Sequence, residues 1–411
     1  MNILLLNHYA GSLQHGMEYR PFYLAREWVK AGHQVHIVAA SFAHVRSVQP
    51  TLPVGAESAT EVIEGVHYHW YATPTYSGNG LGRIKNMLAF MRAVNKNAAK
   101  LARTIQPDVV IASSTYPMDI GPAQKIAKIS KAQLVYEVHD LWPLSPKTLG
   151  NMSDWHPFIL WVQWAEDKAY RVANKVVSML PKTLQYMQSR GLDAKKWSHV
   201  PNGIDLSEWQ GNSVLNANHS QAIQAIAQKG LPMVGYAGAH GVANAMDTLL
   251  NTAALLKGQV EFVLVGKGPE KERLLQRVAQ ENLSNVHLLE SVAKIEIPAF
   301  LERMNVAYIG WHPNPLYRFG IAPNKLMDYM MAAKPIVHSV EAGNDLVQEA
   351  NCGISVPPNQ PQEAANAILQ LAQLSTAQQQ QLGQNGRNYV MQHHTYKALA
   401  DQFIAILQTN N

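Results

Sequence analysis

The residues best equipped for chemistry sit at a few turns that follow short apolar runs. Near the start, Asn7-His8-Tyr9-Ala10-Gly11-Ser12 leads into His15-Gly16-Met17-Glu18-Tyr19-Arg20. Midway, Glu137-Val138-His139-Asp140 ends another apolar run. Later come Gly235-Tyr236-Ala237-Gly238-Ala239-His240-Gly241, then Val265-Gly266-Lys267-Gly268-Pro269, then Phe319-Gly320-Ile321-Ala322-Pro323-Asn324-Lys325-Leu326-Met327-Asp328. A glycine turn opening into a helix lets backbone N–H groups approach a ligand, and the helix start favours an anion. Lys267 and Lys325 add cations to such turns. Asp328 offers a carboxylate that accepts two neighbouring hydroxyls, as a ribose presents them. Each feature also has a plain reading: a strand-to-helix turn, or a first-turn acid that favours the helix dipole. The glycine spacing does not fit G-x-G-x-x-G, which disfavours a dinucleotide cofactor.

These turns need strands to hold them. Ile3–Leu6, Val35–Ala39, Asp108–Ile111, Leu134–Val138 and Val176–Met179 read as strands in the first half, with an edge strand at Ser198–Val200. Met233–Ala237, Phe262–Val265, Val286–Leu289, Val306–Ile309 and Ile336–His338 repeat the pattern in the second. Helical patterns near Pro21–Lys30, Ile84–Thr104, Asp119–Lys128, Phe158–Val172, Met246–Lys257, Glu270–Ala279, Pro298–Arg303 and Lys325–Ala332 separate them. Strand and helix in alternation predict two doubly wound, parallel-sheet α/β domains with ligands beyond the carboxyl ends of the strands. The expected boundaries are 1–200, 201–390 and a C-terminal helix over 391–411 that reaches back to the first domain. Pro201-Asn202-Gly203 marks the seam, and Gln210–Gln228 reads as a polar connector.

Composition limits the alternatives. A chain of 411 residues with 47% apolar and 15% charged residues buries substantial cores. One cysteine, Cys352, leaves no disulfide framework or cysteine-built zinc site. No apolar run approaches a membrane span, and Met1–Leu6 lacks the basic start of a signal peptide, so a cytoplasmic chain is expected. Residues 1–200 hold 21 Lys and Arg against 13 Asp and Glu; the remainder holds 13 against 16. The basic half suits an anionic surface, and no nucleic-acid reader motif accompanies it. Residues Asn79–Thr104 carry Arg83, Lys85, Arg92, Lys96, Lys100 and Arg103 without an acid. That segment reads equally as a helix docked on anionic lipid or as a solvated basic face. Trp155, Trp161 and Trp164 read as buried packing in preference to an interfacial group. His67, His69, His393 and His394 read as surface histidines.

Taken together, the segments resemble the retaining glycosyltransferase family 4 of GT-B fold. The resemblance runs over nearly the whole chain. It rests on Gly32-His33-Gln34-Val35, Pro201-Asn202-Gly203-Ile204-Asp205, the Gly266-Lys267-Gly268-Pro269 turn, Pro323-Asn324-Lys325-Leu326-Met327-Asp328-Tyr329-Met330 and Lys334-Pro335-Ile336-Val337. It is nearest to the WbuB-type subgroup of bacterial surface-polysaccharide enzymes. The resemblance implies two Rossmann-like domains facing across a cleft. It also implies transfer of a sugar, with retention, from a nucleoside diphosphate (UDP by expectation) to a lipid-linked or oligosaccharide acceptor.

By the same resemblance His139 is the catalytic contact at the reacting sugar. Gly16, Gly238, His240, Gly241, Lys267, Ile321, Ala322, Pro323, Asn324, Lys325 and Asp328 hold the donor. Gly11, Ser12, His15, Glu18 and Arg20 meet the acceptor. No cofactor or metal is expected, no Asp-x-Asp motif being present. Peripheral attachment to the inner face of the cell membrane is expected.

Two departures from the family pattern stand out. Its E-x7-E motif places a first acid eight positions before Asp328, where this chain has Gly320. The usual Arg and Lys after the Gly238 strand are absent, Ala239 and His240 taking that turn. A sugar-nucleotide 2-epimerase of the same fold and a non-catalytic sugar-nucleotide-binding subunit are the alternative readings.

Overall fold

The structure, a computed structural model, describes every residue except Asn79, Asn212, Asn410 and Asn411. The chain forms two compact units, Met1–Asn202 with Tyr396–Asn411, and Gly203–Thr395.

In unit 1 the order is β1 (Asn2–Leu6), α1 (Arg20–Lys30), β2 (Gln34–Ala40), β3 (Ser58–Ile63), β4 (Val66–Tyr71), α2 (Leu81–Ile105) and β5 (Val109–Ala112). There follow α3 (Ile120–Ser130), β6 (Gln133–Val138), α4 (Leu144–Gly150), α5 (Pro157–Val172), β7 (Lys175–Ser178), α6 (Leu184–Ser189) and β8 (Trp197–His199). Its sheet runs β3-β4-β2-β1-β5-β6-β7-β8. Strands such as β5 and β7 are buried along their whole length, as sheets covered on both faces require. The order reverses between β1 and β5, whose ends lie level at Leu6 and Ala112. That reversal opens a crevice beyond the strand ends.

Unit 2 repeats the plan: α7 (Ala217–Ala227), β9 (Met233–Ala237), α8 (Met246–Leu255), β10 (Glu261–Val265), α9 (Lys271–Gln280), β11 (Val286–Leu289) and α10 (Ile297–Glu302). Then come β12 (Val306–Gly310), α11 (Asn324–Met331), β13 (Ile336–Ser339), α12 (Leu346–Glu349), β14 (Gly353–Val356), α13 (Pro361–Ala372) and α14 (Thr376–His393). The parallel sheet β11-β10-β9-β12-β13-β14 reverses between β9 and β12. A last helix, α15 (Tyr396–Gln408), returns the chain to unit 1.

Several expectations need correction. The first sheet is not wholly parallel: β3 pairs antiparallel with β4. Glu64 and Gly65, at φ 47° and 82°, form the tight turn between them, a geometry that suits the twist of a hairpin. Residues 217–227 of the expected connector are helical, because Asn216 caps His219 N–H while Ile223 and Ile226 supply a buried face. Asn212 of that connector, and Asn79 at the head of the expected basic helix, lie outside the described residues. The histidines are not all surface groups. His394 is buried, and His67 and His69 are half-buried beside His36, whose Nδ1 lies 2.9 Å from His69 Nε2. Of the three tryptophans, Trp161 packs near Phe158 while Trp155 and Trp164 are exposed.

Helix α15 closes one face of unit 1. Leu399, Ala400, Phe403 and Leu407 are buried against α1. Trp28 Nε1 donates to the Ala400 carbonyl at 3.2 Å, and its ring centre lies 5.3 Å from that of Phe403. Truncating a fully buried aromatic leaves a cavity. Phe403→Ala should therefore cost about 3–5 kcal/mol in denaturant unfolding of unit 1, and a loss under about 1 kcal/mol would show α15 to be a loose appendage.

Candidate active site

The crevice of unit 1 is organised by a buried ion pair. Arg20, at the start of α1, donates from Nε and Nη2 to Glu137 Oε1 at 3.0 and 2.9 Å. Nη2 also donates to the Val200 carbonyl at 2.9 Å, and Nη1 donates to that of Pro201. Both side chains are 1% exposed. Arg20, expected at the acceptor, thus has its donors engaged by Glu137 and by the carbonyls after β8. Burial alone would raise the Glu137 carboxyl. The Arg20 charge and the bonds from His139 and Ser113 prevail and hold it well below the usual range.

Glu137 in turn fixes His139, just past the end of β6. Ser113 Oγ donates to Glu137 Oε2 at 2.6 Å and lies 3.0 Å from His139 Nε2, which is itself 3.4 Å from Glu137 Oε2. Burial works against charge on this ring. The bond and charge of Glu137, with the charge of Glu18, outweigh it and raise the His139 pKa. Glu18 is half-buried near His139, and burial raises its carboxyl against the pull of His139 and Arg20. The charges of His139 and Glu18 thus act on one another.

The other unit 1 residues expected in the site are committed elsewhere. Ser12 Oγ lies 2.9 Å from His15 Nδ1, and both side chains are buried, the His15 ring 5.1 Å from that of Trp70 and its Nε2 3.6 Å from Glu61 Oε2. Gly11 is needed because a Cβ there would stand 1.8 Å from the Gly16 carbonyl oxygen. Gly16, at φ 89°, is pressed against Ser47 and does not offer an open cradle to a donor.

In unit 2 the turns after β9, β10 and β12 meet at the reversal point. His240 N–H donates to the Lys267 carbonyl at 2.9 Å. Any Cβ at Gly266 or Gly268 would collide with Gly238 or His240 backbone, so the Gly-Lys-Gly turn is the shape that lets the two loops touch. The His240 ring is buried, and burial, with Lys271 and Lys325 nearby, lowers its pKa to about 4. Gly241 and the exposed Ala239 flank it, and Lys267 extends outward, exposed.

Lys325 comes to the same point from the first turn of α11. Its Nζ donates to Asn244 Oδ1 at 2.6 Å and Tyr236 OH at 3.2 Å, and lies 4.8 and 5.8 Å from the ring centres of Tyr236 and Trp311. Trp311 Nε1 also donates to Asn244 Oδ1, at 3.1 Å. Burial lowers the Lys325 pKa to about 8. No carboxylate pairs with this ammonium among the described residues. It supplies, from another helix, a cation beside the turn where the family pattern has Arg and Lys. Ile321, Ala322, Pro323 and Asn324 form the strap leading to it. Asn344 braces that strap, accepting from Ile321 N–H at 2.7 Å and donating to the Ile321 carbonyl at 3.1 Å.

Gly320 has φ 96° and ψ 173°, a region that residues with a Cβ essentially do not occupy. The backbone path thus excludes a glutamate at this position. Asp328 lies one turn beyond Lys325 on α11, near the Lys294–Glu208 ion pair of 2.7 Å. Burial pushes its carboxyl up to about 7, with Lys294 opposing and Glu208 adding to the shift. Among the described residues no three His, Cys, Asp or Glu side chains are placed to hold a metal ion. Sequence reasoning missed Ser113 and Glu137 in unit 1, and Tyr236, Asn244 and Trp311 in unit 2. Their signal was position: Ser113, Tyr236 and Trp311 lie within or just past strands at a reversal point, and Glu137 lies near the end of β6.

Comparison with known proteins agrees with this two-part plan. Residues 15–208 match the family described as Glycosyltransferase Family 4, and residues 231–374 match that described as Glycosyl transferases group 1. No curated protein matches the chain. Among solved structures, Anabaena Alr3699/HepE in complex with UDP and glucose is similar at TM-score 0.67 and 20% identity, covering 100% of each chain. Sucrose-phosphate synthase from Thermosynechococcus elongatus gives 0.71 and 17%, covering 98% of this chain and 97% of its own. The E. coli structure titled trehalose-6-phosphate, bound with UDP-2-fluoro glucose, gives 0.70 and 11%, covering 99% of each chain. At these identities the likeness establishes the fold.

The raised Asp328 pKa carries a stability signature. A carboxyl held above its usual value of about 4 favours the folded state when protonated, and this contribution fades as pH rises through about 7. Asp328→Asn stays neutral throughout. Urea unfolding should therefore find the variant close to the parent near pH 4 and more stable than it near pH 8. A variant no more stable at the higher pH would show that the carboxylate is not strained by burial.

Proposed function

We propose that this chain, a glycosyltransferase of GT-B fold by its two matched domains, moves a sugar from a UDP-sugar to an acceptor hydroxyl with retention at the anomeric carbon. The observation that carries the reading is Lys325: a largely buried ammonium without a carboxylate partner, at the reversal point of the unit 2 sheet. A buried cation without a counter-ion is costly, and an arriving diphosphate compensates it. The α11 N-terminus and the loop turned by Gly238 and Gly241 add backbone donors to the same charge. Asp328 is assigned to the ribose hydroxyls. The UDP-bound and UDP-sugar-bound neighbours support the choice of base.

In the reaction the bond from the anomeric carbon to the diphosphate oxygen breaks, and the acceptor oxygen bonds the same face of that carbon. The acceptor proton passes to the departing phosphate oxygen, so no protein nucleophile is required. The protein's part is to stabilise charge that develops on the diphosphate and on the sugar ring. His139, anchored by Ser113 and Glu137, presents a fixed polar group and backbone carbonyl to the sugar, with Glu18 beside it for the acceptor. Turnover is proposed to need no metal ion and to persist in a chelator. The acceptor is read as lipid-linked, in assembly of a bacterial surface polysaccharide, with the basic unit 1 at an anionic membrane surface.

Calorimetry tests the donor site. Lys325→Ala and Asp328→Asn should each weaken UDP binding by roughly 1–3 kcal/mol; unchanged affinity in both would refute the assignment. His139→Ala should cut turnover of the donor by roughly ten- to a thousandfold while leaving UDP affinity unchanged. The ring's bonds to Ser113 and Glu137 imply a stability loss of about 1 kcal/mol as well. Full turnover by the variant would remove His139 from the reaction.

A further inference from the structure

The outer surface of the α3–α5 layer in unit 1 carries large exposed apolar side chains. Trp155, just before α5, is 83% exposed, and Leu160 and Trp164 on its outer stripe are 49% and 55% exposed. Lys168 and the exposed Arg171 continue that stripe at helical spacing, and Lys168 Nζ lies 5.2 Å from the Trp164 ring centre. Large apolar side chains seldom stand together in water unless something covers them.

Among the described residues, the charges around this stripe that are not paired with an acid are positive. Helix α3 packs against α5 and carries Lys125 and Lys128, both exposed, and no acid. Burial, with Lys128 close by, lowers the Lys168 pKa, so two ammonium groups crowd one another here. The acids of α5 are used internally: Glu166 is buried and accepts from Tyr170 and Tyr186, and Asp167 pairs with Arg190 at 2.6 Å. Asp154, beside Trp155, pairs with Lys147. Helix α2, packed along α3, also lacks acids, and its Lys96 is held by Glu57 at 2.8 Å.

We propose that this face docks on an anionic lipid bilayer, with Trp155, Leu160 and Trp164 entering the headgroup region and the lysines of α3 and α5 meeting lipid phosphates. Tryptophan suits that boundary because its ring is apolar and its N–H is not, and a lysine-flanked apolar stripe matches an interfacial helix. An acidic protein partner would answer the charge but would give no lipid dependence. The inference rests on the proposed function for its purpose, since a lipid-linked acceptor lies at a membrane. Its chemistry stands on this surface alone.

Vesicle sedimentation of the full chain tests it without donor or acceptor. Phosphatidylglycerol-rich vesicles should bind the protein at least about tenfold more tightly than pure phosphatidylcholine, and added salt should weaken the binding. Trp155→Gln with Trp164→Gln should lower that affinity about tenfold, as should Lys125→Glu with Lys128→Glu, both leaving UDP affinity unchanged. Equal binding to both lipids, no binding to either, or a tryptophan variant that binds as the parent does would overturn the proposal. Loss of UDP binding with intact vesicle binding would instead refute the proposed function and leave the dock standing.

Discussion

The pairing of Arg20 with Glu137 is the interaction on which unit 1 turns. It joins the head of α1, the last turn of β6 and the carbonyls after β8 in one buried network. A buried carboxylate needs a charged partner and further donors, and Glu137 receives both from Arg20, Ser113 and His139. His139 is thereby held by a group that cannot move without exposing a charge to the interior. The orientation of the proposed catalytic residue follows from the cost of breaking that pair.

Unit 2 solves the opposite problem. There a cation is held without an anion: Lys325 is gripped by neutral oxygens of Asn244 and Tyr236 and by the faces of two aromatic rings. Such partners orient an ammonium without neutralising it, so its charge remains for a ligand. Close loop contact makes this possible. Gly238, Gly266 and Gly268 bring the turns after β9 and β10 within backbone contact, and Lys325 closes over Gly238 from α11. Gly320 belongs to the same path, because the φ of its turn into the strap excludes the acid that the family pattern places there.

The two units use one sheet plan for different chemistry. Each reverses strand order beside its first strand, and each puts its titratable groups just beyond that reversal. In unit 1 the groups form a closed acid–base network; in unit 2 they leave positive charge unspent. A basic, tryptophan-bearing outer layer is confined to unit 1 and matches its excess of Lys and Arg. Charge asymmetry in the sequence thus corresponds to a basic outer layer on one unit.

Much of this was present in the residue order. Alternating apolar runs and helical patterns fix the parallel strands, since a strand covered on both faces must be apolar throughout. The turns that carry Gly238, Lys267 and Lys325 were legible as glycine-bearing turns that follow apolar strand runs and open into helices. The β3–β4 hairpin and α7 were hidden, their polar faces making them resemble loops. The fate of individual side chains depended on tertiary contacts. Arg20 reads as a free cation until Glu137, 117 positions away, is brought against it. His15 shows no partner in sequence until Glu61 and Trp70 are brought against it. Trp164 reads as core until α5 is placed with that stripe outward. Residue type and local spacing determine which groups are available. Only the folded chain decides which of them are already satisfied, because that depends on partners distant in sequence and on burial.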